Sequence, residues 1–171
     1  RMAEMAYDIK QLKPSSFSTG MKADIQGYEA VEFYGEKYGR TTCRNVIAKI
    51  SGSDPVLKDE YVVMGAHYDH LGVRNGLIYN GADDNASGSA VVMEVARLMK
   101  EHDIRPKRTV YFCLWTAEEL GLIGSRYWAE HPTDGVSTDR IVTYFNMDTV
   151  GLGDKIGAPG ALNFPSIWKV I

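Results

Sequence analysis

Short apolar runs alternate with amphipathic stretches over the central part of the chain. The runs Tyr61–Ala66, Thr109–Trp115 and Ile141–Phe145 are almost wholly apolar, which is typical of strands covered on both faces. Between them, Ser87–Glu101 and Glu118–Glu130 repeat apolar residues at helical spacing. The order strand, helix, strand, helix, strand predicts an α/β fold. In the first helix, the apolar residues predicted to share one face are Val91, Val92, Val95, Leu98 and Met99.

The pattern is weaker in the first part of the chain. Residues 1–27 show no sustained periodicity and are predicted to be a linker or the remnant of a preceding region. Tyr28–Tyr34 and Asn45–Ile50 carry β-branched and aromatic residues with partial alternation, and Arg40–Thr42 is expected in the turn between them. These two segments predict an antiparallel strand pair at the start of a domain over residues 28–171.

Acidic residues and histidines cluster where the predicted strands end or the predicted helices begin. In parallel sheets, ligands bind beyond the carboxyl ends of the strands, so these side chains are expected at one edge. Divalent-metal hydrolases use neutral imidazole, carboxylate oxygens and one further carboxylate to handle protons. The pattern therefore predicts a metal site. Its segments are GAHYDHLG at Gly65–Gly72, GADDNASG at Gly81–Gly88, TAEELGLIGS at Thr116–Ser125 and NMDTVG at Asn146–Gly151.

The first two segments supply a histidine and a candidate bridging carboxylate. His67 directly ends a strand and is favoured as the ligand over its rival His70. Asp69 is within reach of holding the His67 imidazole in one tautomer. Asp83, Asp84 and Asn85 precede a helix, where the simplest role is capping, but a carboxylate there can also bridge two metals about 3.5–4 Å apart.

The last two segments supply three more carboxylates. Thr116 followed by Glu119 is typical of a capping box, which would tie Glu119 to the backbone. Adjacent carboxylates can point in different directions, however, so that Glu119 binds a metal while Glu118 remains a base. Asp148 follows the last strand, with a simple Asp turn as the alternative. Because all four segments carry such residues, a shared metal site is favoured over separate roles in helix capping and turns.

Composition narrows the range of partners. The formal net charge of −3 gives no basic surface for nucleic acid, and no apolar run approaches the roughly 18 residues of a membrane span. Cys43 and Cys113 have no spacing typical of a cysteine metal site. Small polar or peptide substrates remain open.

The four segments, in this order and at these intervals, resemble the M28 family of zinc peptidases over Asn45–Gly151. The family includes aminopeptidases and carboxypeptidases with co-catalytic metals. The resemblance implies a three-layer αβα fold with a mixed, mainly parallel central sheet, of the zinc-dependent exopeptidase type. It also implies that residues 28–171 are the N-terminal part of such a domain, without its C-terminal part.

The resemblance assigns a role to each candidate residue. His67 and Asp148 are implied to bind one zinc, and Asp84 is implied to bridge two. Asp84 is chosen over Asp83 because it lies four residues before Gly88. In relatives, the peptide bond after the bridging Asp is often cis. The remaining implied roles are Glu119 as a ligand of the second zinc, Glu118 as the general acid and base, and Asp69 as the group that orients His67.

One family feature is absent from this sequence. Relatives supply a second histidine ligand well downstream of the NMD segment, whereas no histidine follows His131 here. The second zinc site is therefore expected to be open or weakly occupied, with the His67, Asp84 and Asp148 site the better occupied of the two.

The implied activity is removal of terminal residues from peptides by metal-activated water, with Glu118 as the general base. Two alternatives stay open: a non-catalytic module that binds metal or peptide, and a relative of the glutaminyl cyclases or dipeptidases. The resemblance further implies a secreted or periplasmic location. A missing C-terminal part is expected to leave apolar surface exposed, which favours self-association.

Overall fold

A computed structural model describes residues 23–30 and 41–153. Two α-helices occur in these ranges, α1 over Ala86–Glu101 and α2 over Ile123–Glu130. No helix in the described ranges has both the length and the apolar character needed to cross a membrane. The strands in the described ranges are β1 (Ala23–Ala30), β2 (Thr41–Ile50), β3 (Tyr61–His67), β4 (Gly72–Arg74), β5 (Leu77–Tyr79), β6 (Thr109–Trp115) and β7 (Ile141–Asn146).

Five of these strands form one mixed sheet in the order β1-β2-β6-β3-β7. β6, β3 and β7 are parallel, while β1 and β2 add an antiparallel pair at one edge. β3 and β6 are in register from Tyr61 opposite Thr109 to His67 opposite Trp115, and Gly65 lies opposite Asn146 of β7. The carboxyl ends of the three parallel strands therefore meet at one edge. β4 and β5 form a separate antiparallel hairpin between β3 and α1.

Apolar cores on both faces of the sheet give the three layers that were predicted. Residues of β6 alternate between them, since Tyr111 and Cys113 face the α2 side and Phe112 faces the α1 side. Burial of a side chain the size of Val63 or Phe112 contributes about 1.5–3 kcal/mol to the free energy of unfolding. The buried members on the α2 side are Ile47, Val63, Tyr111, Cys113, Trp115, Trp128 and Val136, and those on the α1 side are Ala66, Val92, Ala96 and Phe112.

The predicted strands 61–66, 109–115 and 141–145 are confirmed to within one residue at each end. The antiparallel pair is also confirmed in type, but its boundaries differ. β1 begins at Ala23, so the prediction of a linker is wrong for residues 23–27, which pair with β2. Thr41 is in β2 opposite Ala30, so the predicted turn is wrong there. Residues 1–22 and 31–40 lie outside the described residues.

The predicted apolar face of α1 is only partly correct. Val92 and Ala96 are buried against the sheet, with Val95 and Met99 packed beside them, but Leu98 is 37% exposed. Val91 is similarly exposed. The stripe that contacts the sheet therefore runs through smaller residues than predicted, which lets the helix approach the strands closely.

The prediction of a helix over Glu118–Glu130 is wrong at its start, because α2 begins only at Ile123. Ala117, Gly121 and Leu122 have φ values of 53°, 102° and 61°. These left-handed conformations interrupt a right-handed helix. Residues 116–122 consequently form a loop at the carboxyl end of β6, which we call the Glu118 loop.

Candidate functional site

His67 occupies the end of β3 and is almost fully buried, at 3% exposure. Ser89 on α1 donates a hydrogen bond from Oγ to the His67 carbonyl at 2.8 Å. The imidazole Nδ1 donates to the backbone carbonyl of Asp69 at 3.0 Å. Nε2 then faces two carboxylate oxygens, Asp84 Oδ1 at 3.0 Å and Asp148 Oδ1 at 3.6 Å.

A buried asparagine brings Asp84 and Asp148 together. Asn85 caps α1 by accepting from the Gly88 N–H at 3.0 Å, and the same oxygen accepts from Thr149 N–H at 3.3 Å. Its amide donates to the Met147 carbonyl at 2.8 Å. The Asp84–Asn85 peptide is cis, in agreement with the resemblance. Asn85 thus joins the start of α1 to the end of β7, a long-range role that capping alone did not predict.

Gly88 has to be glycine for this junction to close. A Cβ at this position would lie 2.2 Å from the Met147 carbonyl oxygen, well inside contact distance. The missing side chain lets the backbone after β7 approach α1 closely enough to set Asp148 beside His67.

A second group forms on the other side of Asp84. His70 Nδ1 lies 2.8 Å from Glu119 Oε1 and 3.9 Å from Asp84 Oδ2. Asp84 therefore directs one oxygen toward His67 and the other toward His70. His70, which was weighed only as a rival of His67, is placed by the structure in a different group.

Asp69 holds the Glu118 loop through its carboxylate. Oδ1 accepts from the Glu118 N–H at 3.0 Å and Oδ2 from the Glu119 N–H at 3.3 Å. The capping box considered for Thr116 and Glu119 does not form, because the Glu119 N–H bonds to Asp69 and the Thr116 N–H bonds to Asn45. The carboxylate lies 3.7 Å from His67 Nδ1, so the hydrogen bond that fixes the imidazole comes from the Asp69 carbonyl instead.

Asn45 on β2 also supports the Glu118 loop, through hydrogen bonds near its two ends. This role was not identified from the sequence. This fully buried side chain donates to the Gly124 carbonyl at 2.8 Å and accepts from Thr116 N–H at 3.3 Å. The available signal was an asparagine within a predicted strand, because a buried amide requires hydrogen-bond partners.

Glu118 lies beside the His67 group, with Oε2 4.0 Å from His67 Nε2. Burial raises the pKa of the Glu118 carboxyl. His67 opposes this shift, whereas the carboxylates of Glu119, Asp148 and Asp69 raise the pKa further. The loop thus presents a carboxyl group whose proton affinity is increased by its surroundings.

The two groups fit divalent cations. In each group, the candidate ligand atoms lie within 4.8 Å of one another. Ligand atoms about 2 Å from a tetrahedral zinc are about 3.3 Å apart, which is close to the 3.0 and 3.6 Å separations around His67 Nε2. A cation would also offset the repulsion among the carboxylates. The structure thus brings together all the predicted site residues, in the groups His67, Asp84, Asp148 and His70, Asp84, Glu119, with Glu118 and Asp69 beside them.

One family model and several known proteins match this chain. The family model described as Peptidase family M28 matches residues 45–158. A glutamate carboxypeptidase 2 homolog of Caenorhabditis briggsae is 42% identical over 111 residues, which are 63% of this chain and 13% of that protein. The chain therefore spans only a small part of the length of this relative.

Two solved structures share the fold. BSAP, a zinc aminopeptidase from Bacillus subtilis, superposes with a TM-score of 0.55 at 32% identity, covering 68% of this chain and 26% of that one. A glutaminyl cyclase of an Acidobacteriales bacterium superposes with a TM-score of 0.59 at 18% identity, covering 77% of this chain and 44% of that one. These neighbours confirm the predicted α/β fold of the zinc exopeptidase type.

Proposed function

The chain belongs to peptidase family M28, and on that premise we propose that it forms the metal-binding part of a zinc exopeptidase that removes terminal residues from peptides. The observation that carries this proposal is the convergence of His67, Asp84, Glu119 and Asp148 at one sheet edge, with Glu118 beside them. These side chains come from four places: the end of β3, the segment after β7, the segment before α1 and the Glu118 loop.

We assign His67, Asp84 and Asp148 to one zinc ion, and Asp84 and Glu119 to a second. The orientation of the two Asp84 oxygens supports a bridging role, because each faces a different histidine. When bound, zinc polarises the peptide carbonyl and lowers the pKa of the attacking water.

Glu118 is the residue we propose for proton transfer. It takes a proton from the attacking water and returns one to the leaving amine. Its position supports this role, because Oε2 lies 4.0 Å from the ligand atom of His67 while the loop backbone is fixed by Asp69. A cation in either group would favour the ionised form of Glu118, which a general base requires.

The presence of two candidate metal groups favours a two-metal hydrolase over the cyclase alternative. Likeness to a glutaminyl cyclase at 18% identity concerns the fold. A module that only binds metal or peptide is the remaining alternative, and turnover distinguishes it.

The proposed function is tested by zinc content and hydrolysis of aminoacyl anilides. Both are measured on this chain and on the longest polypeptide that its gene encodes. We expect zinc in both proteins and hydrolysis in the longer one at least. Zinc without hydrolysis in either protein would favour the binding module, and the absence of both would defeat the peptidase proposal.

Asp69→Asn tests the support of the Glu118 loop. The Asp69 carboxylate accepts hydrogen bonds from two backbone N–H groups. Asparagine keeps the shape of the side chain but turns its own amide N–H₂ toward one of them, so that two donors face each other. We expect a loss of about 1–3 kcal/mol in the free energy of unfolding. Because the loop carries Glu119, zinc affinity should also fall by about 10- to 100-fold.

Thermal unfolding and a zinc titration measure these two effects. Asp103→Asn is the matched control, since Asp103 is exposed and pairs with Arg105 away from the site. Zinc affinity in Asp69→Asn equal to that of the control would show that the carboxylate does not position a ligand.

A further inference from the structure

We propose that His70 is a metal ligand, the third protein group of a second ion that it shares with Asp84 and Glu119. This inference rests on the proposed function and deepens it. With His70, the second group offers three ligand atoms to its own ion.

The first support is a pair of buried polar atoms that face each other. His70 Nδ1 and Glu119 Oε1 lie 2.8 Å apart, yet neither forms a hydrogen bond with a group in the described part of the chain. Two lone pairs at this distance repel each other unless a proton or a cation lies between them, and a shared cation would satisfy both. Both side chains are about four-fifths buried, at 18% and 19% exposure.

The second support is the way the backbone positions His70. Gly81, with φ of 64°, packs against this side chain so closely that a Cβ there would lie 2.7 Å from His70 Cβ. The Tyr79 ring lies on the β5 hairpin strand with its centroid 6.5 Å from that of His70. The imidazole is thus confined by neighbours while Nδ1 is directed at Glu119.

The third support is the chemistry of the two donor sets. Each contains one imidazole nitrogen, one oxygen of Asp84 and one further carboxylate. Zinc sites with three protein ligands of these types leave one position open for water or substrate. The same composition on both sides of Asp84 makes the second group as suitable for zinc as the first.

Zinc content of the 171-residue chain tests the inference. After saturation with zinc and exhaustive dialysis, we expect two ions per chain in the parent and one in His70→Ala. His102→Ala is the matched control, because His102 is an exposed histidine at the end of α1, and it should retain two. Two ions in His70→Ala would overturn the inference.

The parent chain separates this inference from the proposed function. One ion in the parent would show that the second group does not hold zinc, which overturns the role of His70 but leaves the His67 site. No ion in the parent would instead defeat the metal site on which both proposals rest.

A second variant gives a readout that does not depend on stoichiometry. In His70→Cys loaded with Co²⁺, a thiolate bound to the ion should produce a sulfur-to-cobalt charge-transfer band in the near ultraviolet. His102→Cys should lack this band. A folded His70→Cys protein that binds Co²⁺ without the band would contradict ligation at this position.

Discussion

Replacing Glu118 by Gln is expected to lower kcat by about 10²- to 10⁴-fold while leaving the zinc content unchanged. Glutamine has nearly the same size and keeps the backbone hydrogen bond to Asp69, but its amide cannot accept the proton of the attacking water. The proposed ligands His67 and Glu119 are untouched by this change. Loss of turnover without loss of metal would therefore separate the proton-transfer role from a ligand role.

The measurement compares aminoacyl-anilide hydrolysis and zinc content in the longest polypeptide that the gene encodes. Glu130→Gln serves as the control, because Glu130 is an exposed residue at the end of α2. A kcat in Glu118→Gln equal to that of the control would exclude Glu118 as the general base. Loss of zinc in this variant would instead place Glu118 among the ligands.

Replacing Asp84 by Ala is expected to remove both zinc ions. Its two oxygens face His67 and His70 separately, at 3.0 and 3.9 Å, so that one carboxylate serves both groups. Changes in groups that only support metal ligands reduce affinity by about 10- to 100-fold, and loss of a bridging ligand should exceed that for each ion. Hydrolysis should disappear together with the metal.

The neighbouring carboxylate provides a stringent control for this prediction. Asp83 accepts from the Gly151 N–H at 2.7 Å but belongs to neither group of candidate ligands. Asp83→Ala should therefore retain both ions, whereas Asp148→Ala should lose chiefly the one beside His67. A chain with Asp84→Ala that still binds two ions would show that Asp84 is not the bridge.

The parts of the fold that could be predicted are those fixed by local periodicity. Tyr61–Ala66 and Thr109–Trp115 are apolar on both faces because helices cover both faces, and their residues alone carry that information. The position of His67 could be predicted in the same way, because it directly ends the first of these strands. Parallel strands then bring Asp148 to the same edge, which requires the sheet order but no side-chain detail.

The parts that escaped prediction depend on contacts between distant segments. Asn85 bonds to groups 62 and 64 residues away, and Asn45 bonds across 71 and 79 residues, so that no local pattern indicates these roles. The Glu118 loop has helical spacing, but Ala117 and Leu122 adopt left-handed conformations. Hydrogen bonds from the Glu118 and Glu119 N–H groups to the Asp69 carboxylate hold this loop, in place of the helical turn that its sequence favoured.

Anomalous diffraction at the zinc edge, from crystals of the chain grown with zinc, tests the shared-carboxylate site most directly. We predict two peaks about 3.5–4 Å apart on either side of the Asp84 carboxylate. One peak should lie beside His67 and Asp148, and the other beside His70 and Glu119. A single peak, or two peaks away from the Asp84 carboxylate, would contradict a site in which Asp84 is shared by two ions.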